Sequence, residues 1–180
     1  MKKLCIFAQV VLMILFVVNV MAEEEEKVAV KEIEPFLYCA VEMTGSYDQH
    51  QDAFMTLYEQ AGMQGLGSDF SPFGIYFSDP SSTPVEELKW EIGFVLADSA
   101  EVKEPLKLKK WSYNHMAGIL YEGSFSAPEF QAAHGELYQW VVENGYTIAG
   151  PTLEKYVDMP SQNADGEWVG KVQISIPVTK

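Results

Sequence analysis

At 180 residues, 48% of them apolar and 13% aromatic, the chain is long enough for one packed domain and too rich in rings for a disordered tract. Acidic side chains outnumber basic ones 26 to 12, every basic residue is Lys, and the net charge is −14. A strongly acidic chain without Arg is poorly suited to gripping a phosphate backbone, so nucleic acid is not an expected partner.

The N-terminal segment reads as an address. Lys2 and Lys3 precede an apolar run from Leu4 to Ala22, broken only by Gln9 and Asn19. Val20-Met21-Ala22 then offers compact residues just before Glu23-Glu24-Glu25-Glu26. A basic start, an apolar middle and a small-residue exit make a secretory signal peptide over residues 1–22, cleaved after Ala22. The alternative is an uncleaved anchor, since about 18 apolar residues approach the length of a membrane span. Only then is a membrane an expected partner; otherwise the protein is exported, periplasmic or secreted. Past Ala22 the chain keeps 10 Lys against 26 acids, a net −16, and Cys39 is its one cysteine. An intrachain disulfide is thereby excluded, and a lone strand Cys reads as a small buried apolar residue. Residues 23–32 read as an acidic, flexible lead-in, leaving 33–180 as the domain.

From Glu34 the chain repeats one order of parts. An extended run from Phe36 to Glu42 ends in Thr44-Gly45-Ser46-Tyr47. A helix follows over about 48–61, with Ala53, Phe54, Leu57, Tyr58 and Ala61 on one face and Gly62, Gly65 and Gly67 at its exit. Strands are predicted near 74–77 and 89–96, split by a turn containing Asp79-Pro80 and Thr83-Pro84. A linker rich in Glu and Lys is expected over 97–110.

The second half runs extended from Trp111 to Tyr121 and on through Glu122-Gly123-Ser124-Phe125. Its helix opens with a Ser126/Glu129 capping box and Pro128, carries a stripe of Phe130, Ala133, Leu137 and Val141, and stops at Asn144-Gly145. Strands near 153–157 and 168–177 complete it. Tyr47 to Tyr76 is 29 residues and Phe125 to Tyr156 is 31, so the halves, about 33–98 and 108–180, read as a duplicated β-α-β-β unit. The expected fold class is α+β: one curved antiparallel sheet, two helices on its convex face and an open concave side.

Gly74-Ile75-Tyr76, Asp79-Pro80, Thr83-Pro84, Tyr121 to Phe125, the helix through Trp140, Gly150 to Tyr156 and the closing Ile174-Ser175-Ile176-Pro177-Val178 carry a resemblance in their order and spacing. The arrangement resembles the GyrI-like small-molecule-binding domain, also called the bacterial transcription-activator effector-binding domain, over nearly all of residues 33–178. The resemblance implies two βαββ modules about a pseudo-twofold axis and a central cleft for hydrophobic, often cationic, molecules. Regulator members carry a DNA-binding helix-turn-helix ahead of the cleft. Here a signal segment and an acidic lead-in stand in that place, which implies an exported, stand-alone binder. A few relatives hydrolyse strained cyclopropane compounds, so the resemblance also leaves a hydrolase with Glu154 as acid or base, and a third reading is an acidic protein-interaction module.

Glu154 lies in a Gly-Pro-x-x-Glu-x-Tyr pattern whose Glu, in the family, sits at the bottom of the cleft. Strand alternation sets Glu154 and Tyr156 on one face and Leu153, Lys155 and Val157 on the other. A carboxylate among rings is costly when unpaired, and an organic cation would offset that cost through charge pairing and cation–π attraction. Tyr76 is the first-half counterpart of Tyr156, and Gly74 takes the place of Glu154, which suggests a cleft with one charged and one bare pole. Trp90 and Glu91 alternate, so one of the two faces the cleft; the family places an acid here, which keeps Glu91 a candidate. Tyr38 and Met116, at matching places on the first strand of each half, are candidate wall residues. The ligand-binding set is therefore Glu154, Tyr156, Tyr76, Glu91, Tyr38 and Met116. No catalytic residue, metal site or cofactor is expected: His50, His115 and His134 have no ligand-like spacing, and His134, with Glu136 and Tyr138, reads as a helix-surface residue.

Overall fold

The computed structural model describes residues 27–66, 71–96 and 100–180. The expected signal segment, Gly67 and part of the expected linker lie outside them.

Among the described residues, ten strands and two α-helices follow one another as β1 Val28–Glu32, β2 Phe36–Thr44, α1 His50–Gln64, β3 Phe73–Tyr76, β4 Lys89–Val95, β5 Lys107–Trp111, β6 His115–Ser124, α2 Pro128–Glu143, β7 Thr147–Ile148, β8 Thr152–Tyr156, β9 Ser161–Gln162 and β10 Trp168–Thr179. The strands form one sheet in the order β1-β6-β10-β8-β3-β4-β2-β5, with β7 and β9 paired to β10. All pairings are antiparallel. This is the expected α+β class, one large antiparallel sheet with two helices. The order reads the same from either edge when β1 is exchanged with β5, β2 with β6, β3 with β8 and β4 with β10.

Two strands depart from the sequence reading. The lead-in expected over 23–32 is a strand from Val28, paired to β6 in the register Val28 to Ile119 through Glu32 to His115. The expected linker supplies β5, whose Lys107 to Trp111 pair with Ala40 to Phe36 of β2. A Lys-rich edge strand such as β5 resembles a linker in composition, because charge on an unpaired edge is what keeps it from adding another strand.

Helix α1 is preceded by a 3-10 turn at Tyr47–Gln49, where the Ser46 hydroxyl accepts from the Asp48 amide, and it ends at Gly65 in the left-handed region (φ 65°). The capping box expected for α2 is not formed. Its N-cap is Ala127 without a side-chain cap, and Pro128 opens the first turn with a missing N–H that needs no partner there. The Ser126 hydroxyl bonds instead to that of Ser124 at 2.9 Å.

Each helix buries three small or aliphatic residues against one half of the sheet. Ala53, Leu57 and Ala61 of α1 lie on Cys39, Val41, Trp90, Ile92 and Phe94. Ala133, Leu137 and Val141 of α2 lie on Ala117, Ile119, Val172, Ile174 and Ile176. Fully burying each large apolar side chain contributes about 1.5–3 kcal/mol. The opposite face, expected to stand open, is occupied by Tyr38, Ala40, Phe73, Ile75, Trp111, Met116 and Leu153, all buried.

Candidate functional site

Strands β3 and β8 meet where the two units join, and their register sets Gly74 directly against Glu154 and Tyr76 against Thr152. Period-two alternation then sends Glu154 and Tyr156 to the helix-bearing face and Leu153 to the other, as expected. Glu154 is 7% exposed. It lies on β8, between the part of the sheet that α1 covers and the part that α2 covers, on the side opposite to the one expected to stay open.

Helix α2 supplies the partner of Glu154. His134 follows Ala133 of the buried stripe, so its ring lies on the flank of the helix nearest β8. Its Nε2 is 2.8 Å from Glu154 Oε1, and its Nδ1 is 2.9 Å from the Phe130 carbonyl. One turn later the Tyr138 hydroxyl bonds Thr152 Oγ1 at 2.7 Å. Four residues of helix rise about 6 Å and two residues of strand about 6.6 Å, so an i, i+4 pair on α2 matches an i, i+2 pair on β8. That match, absent from the helix considered alone, corrects the reading of His134 as a helix-surface residue.

A carbonyl oxygen and a carboxylate both accept, so both nitrogens of His134 are placed to donate, an arrangement that favours the protonated ring. Burial pulls its pKa down, but the hydrogen bond to Glu154, the Glu154 charge and the Phe130 carbonyl together leave it raised above 6.5. Phe130 also meets the imidazole edge to face, ring centres 4.8 Å apart.

The first unit contributes neutral groups. His50 Nδ1 donates to the Tyr47 carbonyl, which leaves Nε2 to accept from the Tyr76 hydroxyl at 2.8 Å. Burial holds His50 below its ordinary value despite the Tyr47 carbonyl and Glu154. Burial, then the nearby Glu154 charge, raises Tyr76 and Tyr156 far above the usual phenol range. Tyr47 is pushed up to about 12, first by burial and then by Glu154. These phenols are neutral hydrogen-bond donors, not bases.

Rings collar the carboxylate. Tyr47 meets Tyr76 edge-on at 5.2 Å, Phe54 meets Tyr156 at 5.5 Å, and Phe125 meets Tyr156 at 5.9 Å. Trp90 lies beneath His50 at 4.6 Å and donates its indole N–H to the Gly45 carbonyl. The pole expected to be bare at Gly74 is filled: a Cβ there would stand 2.5 Å from the Tyr76 oxygen, so the absent side chain is what lets the ring fold across the strand.

The structure brings three of the six expected residues together, Glu154, Tyr156 and Tyr76, and sets the other three on the far face. Trp90 takes the helix side, which leaves Glu91, 1% exposed, on the opposite one. There Glu91 accepts from the Tyr38 hydroxyl at 2.6 Å and from Lys109, whose ammonium also pairs with Glu42. Met116 is packed in the same cluster. Tyr38, Glu91 and Met116 therefore line no wall shared with Glu154, because the sheet lies between. Cys39 is free and buried under α1, and burial pushes its thiol up to about 12. Among the described residues no three of His, Cys, Asp and Glu converge as a metal-binding group.

Comparison with known proteins completes the description. The family model for the GyrI-like small molecule binding domain matches residues 26–178. A DNA gyrase inhibitor from Erwinia billingiae (strain Eb661) is 30% identical over 114 residues, which span 59% of this chain and 68% of that protein. The EcmrR C-terminal domain has a TM-score of 0.69 at 18% identity, covering 85% of this chain and 97% of that domain. The chain spans 57% of EcmrR as seen in its DNA complex. SAV2435 bound to tetraphenylphosphonium has a TM-score of 0.53 at 12% identity, covering 84% of this chain and 93% of that one. At these identities the solved structures speak to the fold alone.

Proposed function

This chain belongs to the GyrI-like small-molecule-binding domain family, and from that premise we propose that it is an exported binder of hydrophobic organic cations, with Glu154 as the group that holds the positive charge. The observation that carries the reading is a carboxylate 7% exposed on the helix-bearing face, beside Tyr76, Tyr156 and Tyr47, with Phe54 and Phe125 packed on Tyr156. Burying a carboxylate costs several kcal/mol after relaxation unless a positive group and hydrogen bonds compensate it. His134 compensates that cost in part, but an apolar side chain would fill the same space without incurring it, so stability alone gives no reason to place an acid there. A delocalised cation suits the surroundings, because each ring face it meets adds about 0.5–2 kcal/mol. A ligand enters by parting the ring collar, and the binding of tetraphenylphosphonium by SAV2435 supports a cation of that shape as a probe.

The test is titration of the full chain with tetraphenylphosphonium, followed by tryptophan fluorescence, with Trp90 as the reporter beneath His50. Saturable one-to-one quenching is the expected result. No saturable signal up to millimolar probe overturns the reading. Export is tested separately by sequencing the N-terminus of protein recovered from its host: a start at Glu23 supports it, and a start at Met1 or Lys2 refutes it.

A further inference from the structure

His134 occupies the place that a captured cation would need. Among the described residues it is the ion-pair partner of Glu154, its side chain is 19% exposed, and its two nitrogens face a carboxylate and a carbonyl. The apo site is therefore already neutral. A second positive charge brought to the same buried carboxylate would meet the imidazolium across a few ångströms of poorly screened space, so the two cannot both be held well. Resting on the capture reading above, we propose that an organic cation binds Glu154 in exchange for the proton on His134, one proton released for each cation held.

Charge balances across the exchange. Before it, the site holds a carboxylate and an imidazolium. After it, the site holds a carboxylate, the ligand cation and a neutral imidazole, and one proton has left for solvent. The neutral ring keeps its Nδ1–H on the Phe130 carbonyl. Its Nε2 lone pair then faces the carboxylate, an arrangement that turns the ring aside and opens Glu154 to the ligand.

Around the pair stand Tyr76 from β3, Tyr156 from β8, Tyr47 and His50 at the entrance to α1, and Tyr138 from α2 with its hydroxyl on Thr152. Burial raises Tyr76, Tyr156 and Tyr47 above the usual phenol range and lowers His50, so none of these four gains charge near neutral pH. His134 alone among the site's histidines is raised, because Glu154 outweighs its burial.

Isothermal titration of the full chain with tetraphenylphosphonium, in buffers of differing ionisation enthalpy between pH 6 and 9, counts the protons directly. The probe has no titratable group of its own. Below the His134 pKa, about one proton is expected per cation, and affinity should rise about tenfold per pH unit before levelling above that pKa. In His134→Gln the amide still donates to Glu154 but carries no charge, so binding should be flat with pH. At pH 6 this variant should bind more tightly than the wild type, the opposite of what loss of a simple contact residue does. Circular dichroism checks the fold of the variant, and the wild-type proton count stands without it. Binding with no proton release, or a pH slope that survives in His134→Gln, overturns the exchange and leaves cation capture intact. Absence of binding to the wild type at every pH overturns capture, and the exchange with it.

Discussion

Replacing Glu154 by Gln separates charge from shape. The amide has the outline of the carboxylate, and it can donate to His134 Nε2, 2.8 Å from Oε1, once that nitrogen gives up its proton. The imidazole keeps its other bond to the Phe130 carbonyl, so every polar atom of the pair stays satisfied and stability should change by no more than about 1 kcal/mol. Cation binding should change far more. A unit charge held about 4 Å from the carboxylate at an effective dielectric near 20 gains about 4 kcal/mol. Removing the His134 proton and the remaining water reduces that to about 2–3 kcal/mol, so Glu154→Gln should bind tetraphenylphosphonium about 30- to 150-fold more weakly at pH 8. Neutral triphenylphosphine oxide, which makes the ring contacts without the charge, should bind both proteins alike. Titration calorimetry with both probes, alongside thermal melts, makes the comparison. Equal affinity of the folded variant and the wild type for the phosphonium would refute the charge argument.

Three further outcomes follow from the geometry. Gly74→Ala drives a methyl group to 2.5 Å from the Tyr76 oxygen; the ring must move off His50, lowering stability by about 1–3 kcal/mol in urea denaturation and weakening phosphonium binding. Tyr38→Phe takes a 2.6 Å donor from the buried Glu91 on the far face and should cost about 1–3 kcal/mol of stability while leaving phosphonium affinity within about twofold. The two site histidines should leave opposite marks on stability against pH. His134 is raised, so its contribution is full below pH 6.5 and is lost as pH rises through its folded value; His50 is lowered, so its contribution is present above pH 6.5 and is lost as pH falls through its folded value. Chemical denaturation from pH 5 to 9 should show the alkaline loss vanish in His134→Gln and the acid loss shrink in His50→Gln.

Local signals in the chain were strong wherever one periodicity dominated. The stripe of α2 and its Asn144-Gly145 stop are readable because four apolar residues repeat at helical spacing and the stop needs a positive φ, here 72° at Gly145. Alternation in β8 likewise places Glu154 and Tyr156 together. The two edge strands were not readable, since β1 adjoins a run of four Glu and β5 holds Lys107, Lys109 and Lys110. The face of β4 was not readable either. Trp90 and Glu91 are both buried, one under α1 and the other beneath the far aromatic cluster, so alternation of polar and apolar residues carries no sign there.

The same two-sided burial explains why half of the expected binding residues lie beyond the sheet. Tyr38, Glu91 and Met116 form a polar-in-apolar cluster of the kind a cleft would have, but Lys109 already fills the cationic role in it. What distinguishes the helix face is a relation between elements: α2 runs along β8 so that His134 and Tyr138 fall on Glu154 and Thr152. A slip of one helical turn would set Phe130 or Tyr138 against the carboxylate and leave it without a positive partner. On the helix-bearing face of the central strands the difference is a Gly on β3 against a Glu on β8, with Tyr76 folded into the space the Gly leaves. The ion pair thus lies on the α2 side, while rings stand on both sides, Phe125 and Phe130 by α2 and Phe54 and Tyr47 by α1. On the proposed capture, a cation sets its positive centre over β8 beside Glu154 and its apolar bulk toward Phe54 and Tyr47.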